Sequence, residues 1–189
     1  MRIVGGRLGG RTLTAPKGAA TRPTSDRVRQ ALFNILEHGL DGPDLEGGSV
    51  IDLFAGSGAL GLEALSRGAR SAMLVDTDAA ARGAMRANIE ALGLEGVAKI
   101  LRRDATKLGP CLTPGAFTHA FLDPPYGRGL ADLALVALRD GRWLADGAIV
   151  VIEEEAGATV SLPERFAAIE RRAYGDTVLL FARAAGEPA

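Results

Sequence analysis

The fold is decided by one stretch of the chain, Asp52-Leu53-Phe54-Ala55-Gly56-Ser57-Gly58-Ala59-Leu60-Gly61. The apolar residues 49–54 that lead into it predict a short buried strand, and residues 60–67 predict a helix that ends at Gly68. Glycines between a strand and a helix let the backbone turn tightly and approach a ligand closely. The helix that follows presents unpaired N–H groups to a polar ligand. The stretch therefore predicts a strand–turn–helix unit that binds a ligand at its turn.

The same alternation of strand and helix continues toward the C-terminus. Further strands are predicted at 71–75, 97–101, 120–122 and 148–153, helices at 78–92 and 129–139, and a final hairpin at 167–173 and 177–183. This alternation indicates an α/β fold with a mostly parallel sheet and helices on both faces. Ligands of such sheets bind at the carboxyl ends of the strands. The residues that directly follow each strand are therefore the candidates for a functional site.

A different pattern precedes residue 49. Two short extended pieces, 2–4 and 11–14, flank a glycine-rich turn and predict an N-terminal hairpin. Thr24-Ser25-Asp26 offers helix N-caps, and apolar residues follow at helical spacing: Val28, Ala31, Leu32, Ile35 and Leu36. A chain of 189 residues is expected to form a single domain, 1–189. That domain would combine an N-terminal hairpin and helix, 1–38, with a core, 49–183.

Charge is distributed unevenly along the chain. Residues 1–34 hold seven cations and one acid, a net charge of +6, whereas the remainder carries −7. A basic segment on an acidic body is typical of a protein that binds a polyanion. The other interpretation is a solvated arm whose charge has no partner. The candidate phosphate contacts within the segment are four arginines, Arg2, Arg7, Arg11 and Arg22.

Composition excludes several classes of protein. No apolar run approaches the ~18 residues that a membrane helix needs, and the first residues lack the apolar stretch of a signal peptide. A single cysteine, Cys111, cannot form an internal disulfide, which favours the reducing cytoplasm. With His38 and His119 as the only histidines, no structural zinc site is expected. The chain is thus expected to be a cytoplasmic protein without a membrane or metal partner.

Three strand ends together describe a site for adenosine. Asp76 follows the second strand, where a carboxylate can accept both hydroxyls of a ribose, and Asp104 follows the third, where it can accept from an adenine amino group. The first strand end supplies the glycine-rich turn. Its candidate cofactor residues are Asp52, Phe54, Gly56 and Gly58.

The glycine-rich turn alone does not identify the ligand. Gly56, Gly58 and Gly61 also satisfy the dinucleotide pattern G-x-G-x-x-G, and Asp76 stands where a dinucleotide fold keeps its ribose acid. An NAD-binding oxidoreductase therefore remains open at this point.

The fourth strand end separates the two interpretations, because it reads Asp123-Pro124-Pro125-Tyr126. Two prolines fix the backbone and remove two N–H donors, which leaves carbonyls and the Asp123 carboxylate as a rigid surface of acceptors beside an aromatic ring. Such a surface suits an exocyclic base amine, whose lone pair is delocalised until acceptors on its N–H bonds favour the pyramidal form. The ring of Tyr126 can stack on a base that has left its helix. The catalytic candidates are Asp123, Pro124, Pro125 and Tyr126.

These motifs resemble those of the amino-methyltransferases of the S-adenosylmethionine superfamily. The N-terminal segments narrow the resemblance to the RsmD-like family, bacterial 16S ribosomal RNA guanine-N(2) methyltransferases. The segments that carry it are Met1-Arg2-Ile3-Val4-Gly5-Gly6, Gly10-Arg11, Arg22-Pro23-Thr24, Asp26-Arg27-Val28-Arg29 and Leu32-Phe33-Asn34. The resemblance covers nearly the whole chain.

The resemblance implies a Rossmann-like methyltransferase fold, with a seven-stranded sheet whose last strand is antiparallel. It implies S-adenosylmethionine as cofactor and ribosomal RNA, or a small-subunit ribosomal particle, as partner. The target would be the N(2) amino group of a guanine. Contacts to the cofactor from Thr24, Asp26 and Arg29 are expected from the family only, since a helix cap with surface charge would explain the same residues.

Three rival functions remain beside this one. An adenine-N(6) methyltransferase shares the chemistry, an NAD oxidoreductase leaves the Asp-Pro-Pro-Tyr motif unexplained, and a non-catalytic RNA-binding module leaves the cofactor residues without a function.

Several other residues are expected to have structural roles only. We expect Asn88 to cap or pack its helix, Trp143 to pack under the 141–147 loop, and Glu153-Glu154-Glu155 to form a solvated strand end.

Overall fold

The structure, a computed structural model, describes residues 1–16, 25–113 and 115–185. Its strands are β1 (Ser49–Leu53), β2 (Ser71–Val75), β3 (Ala98–Leu101), β4 (Phe117–Leu122), β5 (Leu144–Glu155), β6 (Phe166–Tyr174) and β7 (Thr177–Ala184). Its α-helices are α1 (Asp26–His38), α2 (Ala59–Ser66), α3 (Ala79–Leu92) and α4 (Leu130–Asp140). Single 3-10 turns occur at Gly6–Leu8 and Ala105–Lys107. None of these helices is long and apolar enough to cross a membrane.

The strands form one sheet in the order β3-β2-β1-β4-β5-β7-β6. The first five strands in this order are parallel to one another, and β7 runs antiparallel to both β5 and β6. The helices α2, α3 and α4 make the connections β1–β2, β2–β3 and β4–β5, since neighbouring parallel strands need a long crossover. Among its described residues, the connection from β3 to β4 contains only the 3-10 turn Ala105–Lys107. The prediction of a mostly parallel seven-stranded α/β sheet with an antiparallel last strand is confirmed.

Two strands, β4 and β5, extend by three residues or more beyond their predicted limits, whereas β6 and β7 exceed theirs by single residues. The β4 strand begins at Phe117, not residue 120, because Phe117 already pairs with Leu144 before an irregularity shifts the register at His119. The β5 strand begins at Leu144 and ends at Glu155, because β7 pairs with it as far as Glu155 and Thr177. Hydrophobicity alone did not predict these parts of the strands, because they contain polar residues.

The sheet has an apolar core on each face. On one face α1, α2 and α3 pack against β1, β2, β4, β5 and β7, and Phe33 of α1 meets Phe121 of β4 with ring centroids 5.6 Å apart. On the other face α4 packs through Leu135 and Leu138. Trp143 is buried there as expected, but its partners lie outside the 141–147 loop: it stacks on Phe117 and donates from its ring nitrogen to the Gly109 carbonyl.

The first fourteen residues, which we call the N-terminal arm, dock on α2. The expected hairpin is present as one antiparallel bridge, Arg2 to Thr12, closed by the 3-10 turn. The N–H groups of Val4 and Gly5 donate to the two carboxylate oxygens of Glu63 at 2.7 and 2.8 Å. Because Ile3 and Leu13 are also buried in the α1–α3 core, the arm is an integral part of the packing.

Candidate cofactor and catalytic site

The glycine-rich turn at the end of β1 has the backbone that its sequence predicts. Phe54, Gly56 and Gly58 all have positive φ angles of 60°, 56° and 81°. A left-handed conformation is strained for phenylalanine, and such strain is concentrated at functional sites. A β-carbon at Gly58 would lie 2.9 Å from a Leu74 methyl, whereas at Gly56 the nearest protein atom would be 4.0 Å away. Gly58 therefore serves packing, and the open space at Gly56 leaves room for a ligand to reach the backbone.

Asp76, at the end of β2, is held by backbone donors. Its Oδ2 accepts from the Gly56 N–H at 3.0 Å and its Oδ1 accepts from the Asp78 N–H at 2.8 Å. Each carboxylate oxygen has two acceptor positions, so both retain capacity for a further donor. The predicted ribose acid is thus fixed against the glycine-rich turn with acceptor capacity to spare.

Asp104, at the end of β3, is exposed and begins the 3-10 turn Ala105–Lys107. Its Oδ1 accepts from the hydroxyl and the N–H of Thr106, and these two bonds lower the pKa of the carboxyl. Phe54, Asp76 and Asp104 line one cleft together with Arg103. The structure therefore brings together three cofactor candidates that lie up to fifty residues apart in the chain.

Asp52 lies below this cleft and is only 1% exposed. Its Oδ2 accepts from the Gly61 N–H of α2 at 2.9 Å. Burial raises the pKa of Asp52 to about 7, an effect that the Gly61 hydrogen bond opposes and the charge of Asp76 reinforces. The observed role of Asp52 is to hold the first turn of α2 against β1. A cofactor contact by this residue stays a prediction.

The charged residues at the start of α1 contact the N-terminal arm. Asp26 forms ion pairs with Arg2 at 2.9 Å and with Arg29 at 2.7 Å. Arg29 is 1% exposed and also donates to the Arg2 carbonyl at 2.6 Å. Through these contacts Asp26 and Arg29 link α1 to the arm. The contact with the cofactor that the resemblance implies for these residues stays a prediction. Thr24 and Arg22 lie outside the described residues.

The Asp-Pro-Pro-Tyr motif follows β4 at the same edge of the sheet. Leu122, the last residue of β4, pairs with Leu53 of β1 and with Ile152 of β5. The motif therefore begins next to Phe54 on one side and Glu153 on the other. Asp123 is half-buried, Pro124 is buried and Pro125 is exposed.

Tyr126 is anchored through its hydroxyl. The hydroxyl donates to Oε1 of Glu153 at 3.3 Å, and it also hydrogen-bonds with Thr177 of β7. Burial raises the pKa of Tyr126 to about 12; the Thr177 bond opposes this rise, and the charges of Glu153 and Asp123 add to it. The ring is thus part of a polar cluster with both carboxylates.

The sequence-based assignment of residues 153–155 is wrong for two of the three. Glu153 and Glu154 are 3% and 7% exposed. They are buried in the part of β5 that pairs with β7, which continues up to Glu155, and desolvation raises the pKa of Glu154. Only Glu155 is exposed. The signal that could have revealed this burial is the length of the final hairpin, which pairs with every residue from Ile149 to Glu155.

Asn88 links the N-terminal arm to the glycine-rich turn. Its side chain, 2% exposed, accepts from the Thr14 N–H and donates to the carbonyls of Thr14 and Ser57. Ser57 also contacts the sulfur of Met1 through its hydroxyl at 3.3 Å. The packing role expected for Asn88 is correct, but its partners lie in the arm and the turn.

The three described arginines of the predicted RNA-binding set, Arg2, Arg7 and Arg11, are exposed. Arg2 is partly neutralised by Asp26, while its side chain remains 63% exposed. Within the described ranges no group of three or more His, Cys, Asp or Glu side chains could hold a metal ion.

Comparisons with known proteins show which family the chain resembles. The family model described as "Conserved hypothetical protein 95" matches residues 1–183. The chain is 41% identical over 157 residues to "Ribosomal RNA small subunit methyltransferase D" of Escherichia coli (strain K12), which covers 82% of this chain and 75% of that protein. A solved structure of the Escherichia coli protein yhhF is 33% identical, covers 99% of each chain and has a TM-score of 0.83.

A more distant structure shares the fold. An RNA methyltransferase from Salinibacter ruber in complex with S-adenosyl-L-homocysteine is 16% identical to the chain, with a TM-score of 0.64 over 89% of this chain and 97% of that one.

Proposed function

Because the chain belongs to the RsmD-like family, whose model matches residues 1–183, we propose that it transfers a methyl group to ribosomal RNA. The acceptor in this proposal is the exocyclic N(2) amino group of a guanine in the 16S RNA of the small subunit. The methyl donor is S-adenosylmethionine, which supplies the methyl group as an activated sulfonium. An RNA target of this kind assigns the reaction to the cytoplasm.

One observation carries the proposal. An acceptor-rich Asp-Pro-Pro-Tyr motif stands beside a cleft that is lined by Phe54, Asp76 and Asp104. The cleft has an aromatic ring and two carboxylates for the hydroxyl and amino groups of an adenosine moiety. Gly56, whose β-carbon position is open, is hydrogen-bonded to one of these carboxylates, Asp76. A dinucleotide-binding oxidoreductase would use the same cleft, but it has no use for the Asp-Pro-Pro-Tyr motif.

Asp123 and the Pro124 carbonyl are the proposed acceptors for the two N–H bonds of the target amine. Positive charge develops on the nitrogen as it is methylated, and fixed acceptors stabilise such charge without reorganising. Asp123 does not need to act as a base before transfer. The amine becomes strongly acidic only once it is methylated, so the proton leaves late, to Asp123 or to water.

The chain's main contribution to the rate is alignment. Proximity and orientation contribute up to ~7–11 kcal/mol in well-oriented reactions. In this proposal the stacked ring of Tyr126 fixes the plane of the base, and the two proline residues fix the acceptors. The chain thus holds the amine and its acceptors in one geometry.

The basic N-terminal arm is the proposed contact to RNA phosphates. Arg7 and Arg11 are exposed on the arm, and Arg2 joins them with part of its charge neutralised. Arginine forks match phosphate oxygens in geometry. The backbone of the arm is hydrogen-bonded to Glu63 of α2, so the arm has a defined place on the catalytic core.

The decisive experiment maps methylated nucleotides in ribosomal RNA by mass spectrometry. A strain that lacks the gene should lose one N(2)-methylguanine from its 16S RNA. Expression of the wild-type protein should restore it, and expression of Asp123→Ala should not. Loss of an N(6)-methyladenine in its place would assign the activity to adenine, and an unchanged modification pattern would overturn the proposal.

A further inference from the structure

A buried glutamate adjoins the catalytic motif without belonging to it. Phe121 of β4 pairs with Val151 of β5, and both side chains face the α1–α3 core. Side chains two residues apart on a strand share a face. Glu153 follows Val151 by two positions within β5 and therefore lies on this face. Asp123 directly follows Leu122, the partner of Ile152, so it leaves the sheet beside Glu153.

The burial of Glu153 destabilises the fold unless its carboxylate is hydrogen-bonded. The side chain is 3% exposed, and an uncompensated buried charge would destabilise the fold strongly. Its Oε1 accepts from the Tyr126 hydroxyl at 3.3 Å. A residue that costs stability and contacts a catalytic side chain is a candidate for a functional role.

The backbone near Tyr126 explains why its ring needs an anchor. Pro124 and Pro125 restrain the chain on one side, but Gly127 and Gly129 follow, both with positive φ angles of 71° and 61°. A β-carbon at either glycine would meet no protein atom within 4 Å, so packing does not confine this part of the loop. The hydroxyl contacts at Glu153 and Thr177 therefore supply the restraint at the far end of the ring.

We propose that Glu153 is a positioning residue that fixes the ring of Tyr126 for stacking on the target base by accepting a hydrogen bond from its hydroxyl. Thr177 is the second anchor of the same hydroxyl. The proposal rests on the proposed function, in which the Tyr126 ring contacts the base. It assigns a role to the phenol hydroxyl, whereas stacking alone requires only the ring.

The test compares Glu153→Ala, Glu153→Gln and Tyr126→Phe, each alone, with the double variant Glu153→Ala/Tyr126→Phe. Glutamine keeps a carbonyl acceptor, so its single-turnover rate should stay within about threefold of wild type. Glu153→Ala and Tyr126→Phe should each lower that rate about tenfold, the effect of losing one hydrogen bond to a charged group. The double variant should be no slower than Tyr126→Phe alone, because in this proposal Glu153 acts only through the phenol hydroxyl that Tyr126→Phe has already removed. Affinity for S-adenosylhomocysteine should be unchanged in all four.

A second measurement reports on the ring without any turnover. The chain has two tyrosines, so Tyr174→Phe leaves Tyr126 as the one isotope-labelled tyrosine in an NMR spectrum. In the Tyr174→Phe background, the Tyr126 ring should give the signals of a single conformation when residue 153 is glutamate or glutamine. With Glu153→Ala the signals should be averaged over several ring conformations. Glu154→Gln, which alters the neighbouring buried acid, is the matched control and should leave the ring ordered.

The two measurements separate the possible failures. A wild-type protein that methylates nothing would overturn the proposed function, while the NMR signals would still decide whether Glu153 anchors the ring. Ring signals unchanged by Glu153→Ala would overturn the positioning role, as would additive rate losses in the double variant. Glutamine as damaging as alanine would also overturn it, since the charge and not the acceptor would then be required.

Discussion

The N–H of Gly56 donates to Oδ2 of Asp76 at 3.0 Å, so the predicted ribose acid also holds the glycine-rich turn in place. Replacement of Asp76 by alanine should therefore remove a ligand contact and a loop contact together. We expect the affinity for S-adenosylhomocysteine to fall by about 1–3 kcal/mol or more, measured by isothermal titration. Asp76→Asn keeps one carbonyl acceptor and should lose less.

Asp78→Ala is the control for this prediction. Asp78 caps α3 by accepting from the Ala81 N–H at 3.0 Å, so its loss should cost about 1 kcal/mol of stability. Affinity for the cofactor should remain near that of wild type. Equal affinity losses in Asp76→Ala and Asp78→Ala would show that general loosening of this region, and not the ribose contact, explains the effect.

Asp123→Ala should separate turnover from binding. In the proposed reaction Asp123 faces the amine, and loss of one preorganised acceptor costs on the order of 100-fold or more in rate. Affinity for S-adenosylhomocysteine should change by no more than a few-fold. Single-turnover methylation with saturating cofactor measures the rate directly, and a near-normal rate in the variant would remove Asp123 from its catalytic role.

The strand ends were predictable because they follow from local patterns. Hydrophobic periodicity located the parallel strands, and the rule that ligands bind at their carboxyl ends pointed to Asp76, Asp104 and Asp123. Three of the cofactor candidates do line one cleft. Hydrophobic periodicity gives the order of strands and helices along the chain. In a parallel sheet that order determines which residues meet at the carboxyl edge.

The side-chain partners were not predictable in the same way. Glu153 is buried because a hairpin more than twenty residues away pairs with the end of β5. Asn88 finds its partner Thr14 across 74 positions of the chain. Asp52 alternates onto the α2 side of β1 and contacts Gly61. Each of these outcomes depends on tertiary packing, which composition and periodicity do not encode.

Two buried groups should give opposite pH dependences of stability. Burial raises the pKa of Asp52 to about 7, so its folded form holds a proton that the unfolded form has lost, and stability falls as the pH rises from about 4 to 7. Burial lowers the pKa of His119 to about 4, so the unfolded form takes up the proton first and stability rises over about pH 4 to 6.5. In the wild type the two contributions largely offset each other.

Asp52→Asn should expose the histidine contribution. Asparagine keeps an acceptor for the Gly61 N–H but cannot ionise. The stability of the variant relative to wild type should therefore increase with pH between about 4 and 7, by on the order of 3–4 kcal/mol over the full range. Urea unfolding at a series of pH values measures this difference. A stability difference that does not change with pH would show that Asp52 ionises normally in the folded protein. In the double variant Asp52→Asn/His119→Gln both titrating groups are gone, so its stability should depend less on pH than that of Asp52→Asn.

The last prediction concerns the charge of the N-terminal arm. Phosphate contacts release counterions, so the logarithm of the binding constant falls linearly with the logarithm of salt concentration, by roughly 0.7–0.9 per contact. Replacing Arg2, Arg7 and Arg11 by glutamine should flatten this slope by about 2–3 units. Because Asp26 already pairs with Arg2, we expect a change in slope near the lower end of this range. Arg2→Gln alone should therefore change the slope less than Arg7→Gln or Arg11→Gln.

A matched control distinguishes a specific arm from general charge. Arg171 and Arg172 lie exposed on the edge strand β6, where Arg172 pairs with Glu170 as Arg2 does with Asp26. Their replacement by glutamine removes the same formal charge as Arg7→Gln/Arg11→Gln. If the arm carries the RNA contacts, the slope for binding to 16S RNA should flatten in the Arg7/Arg11 variant and stay near wild type in the Arg171/Arg172 variant. Affinity for S-adenosylhomocysteine should be similar in both, since neither pair lines the cleft. Equal flattening in the two variants would mean that the arm makes no specific phosphate contacts and that RNA responds only to the overall charge.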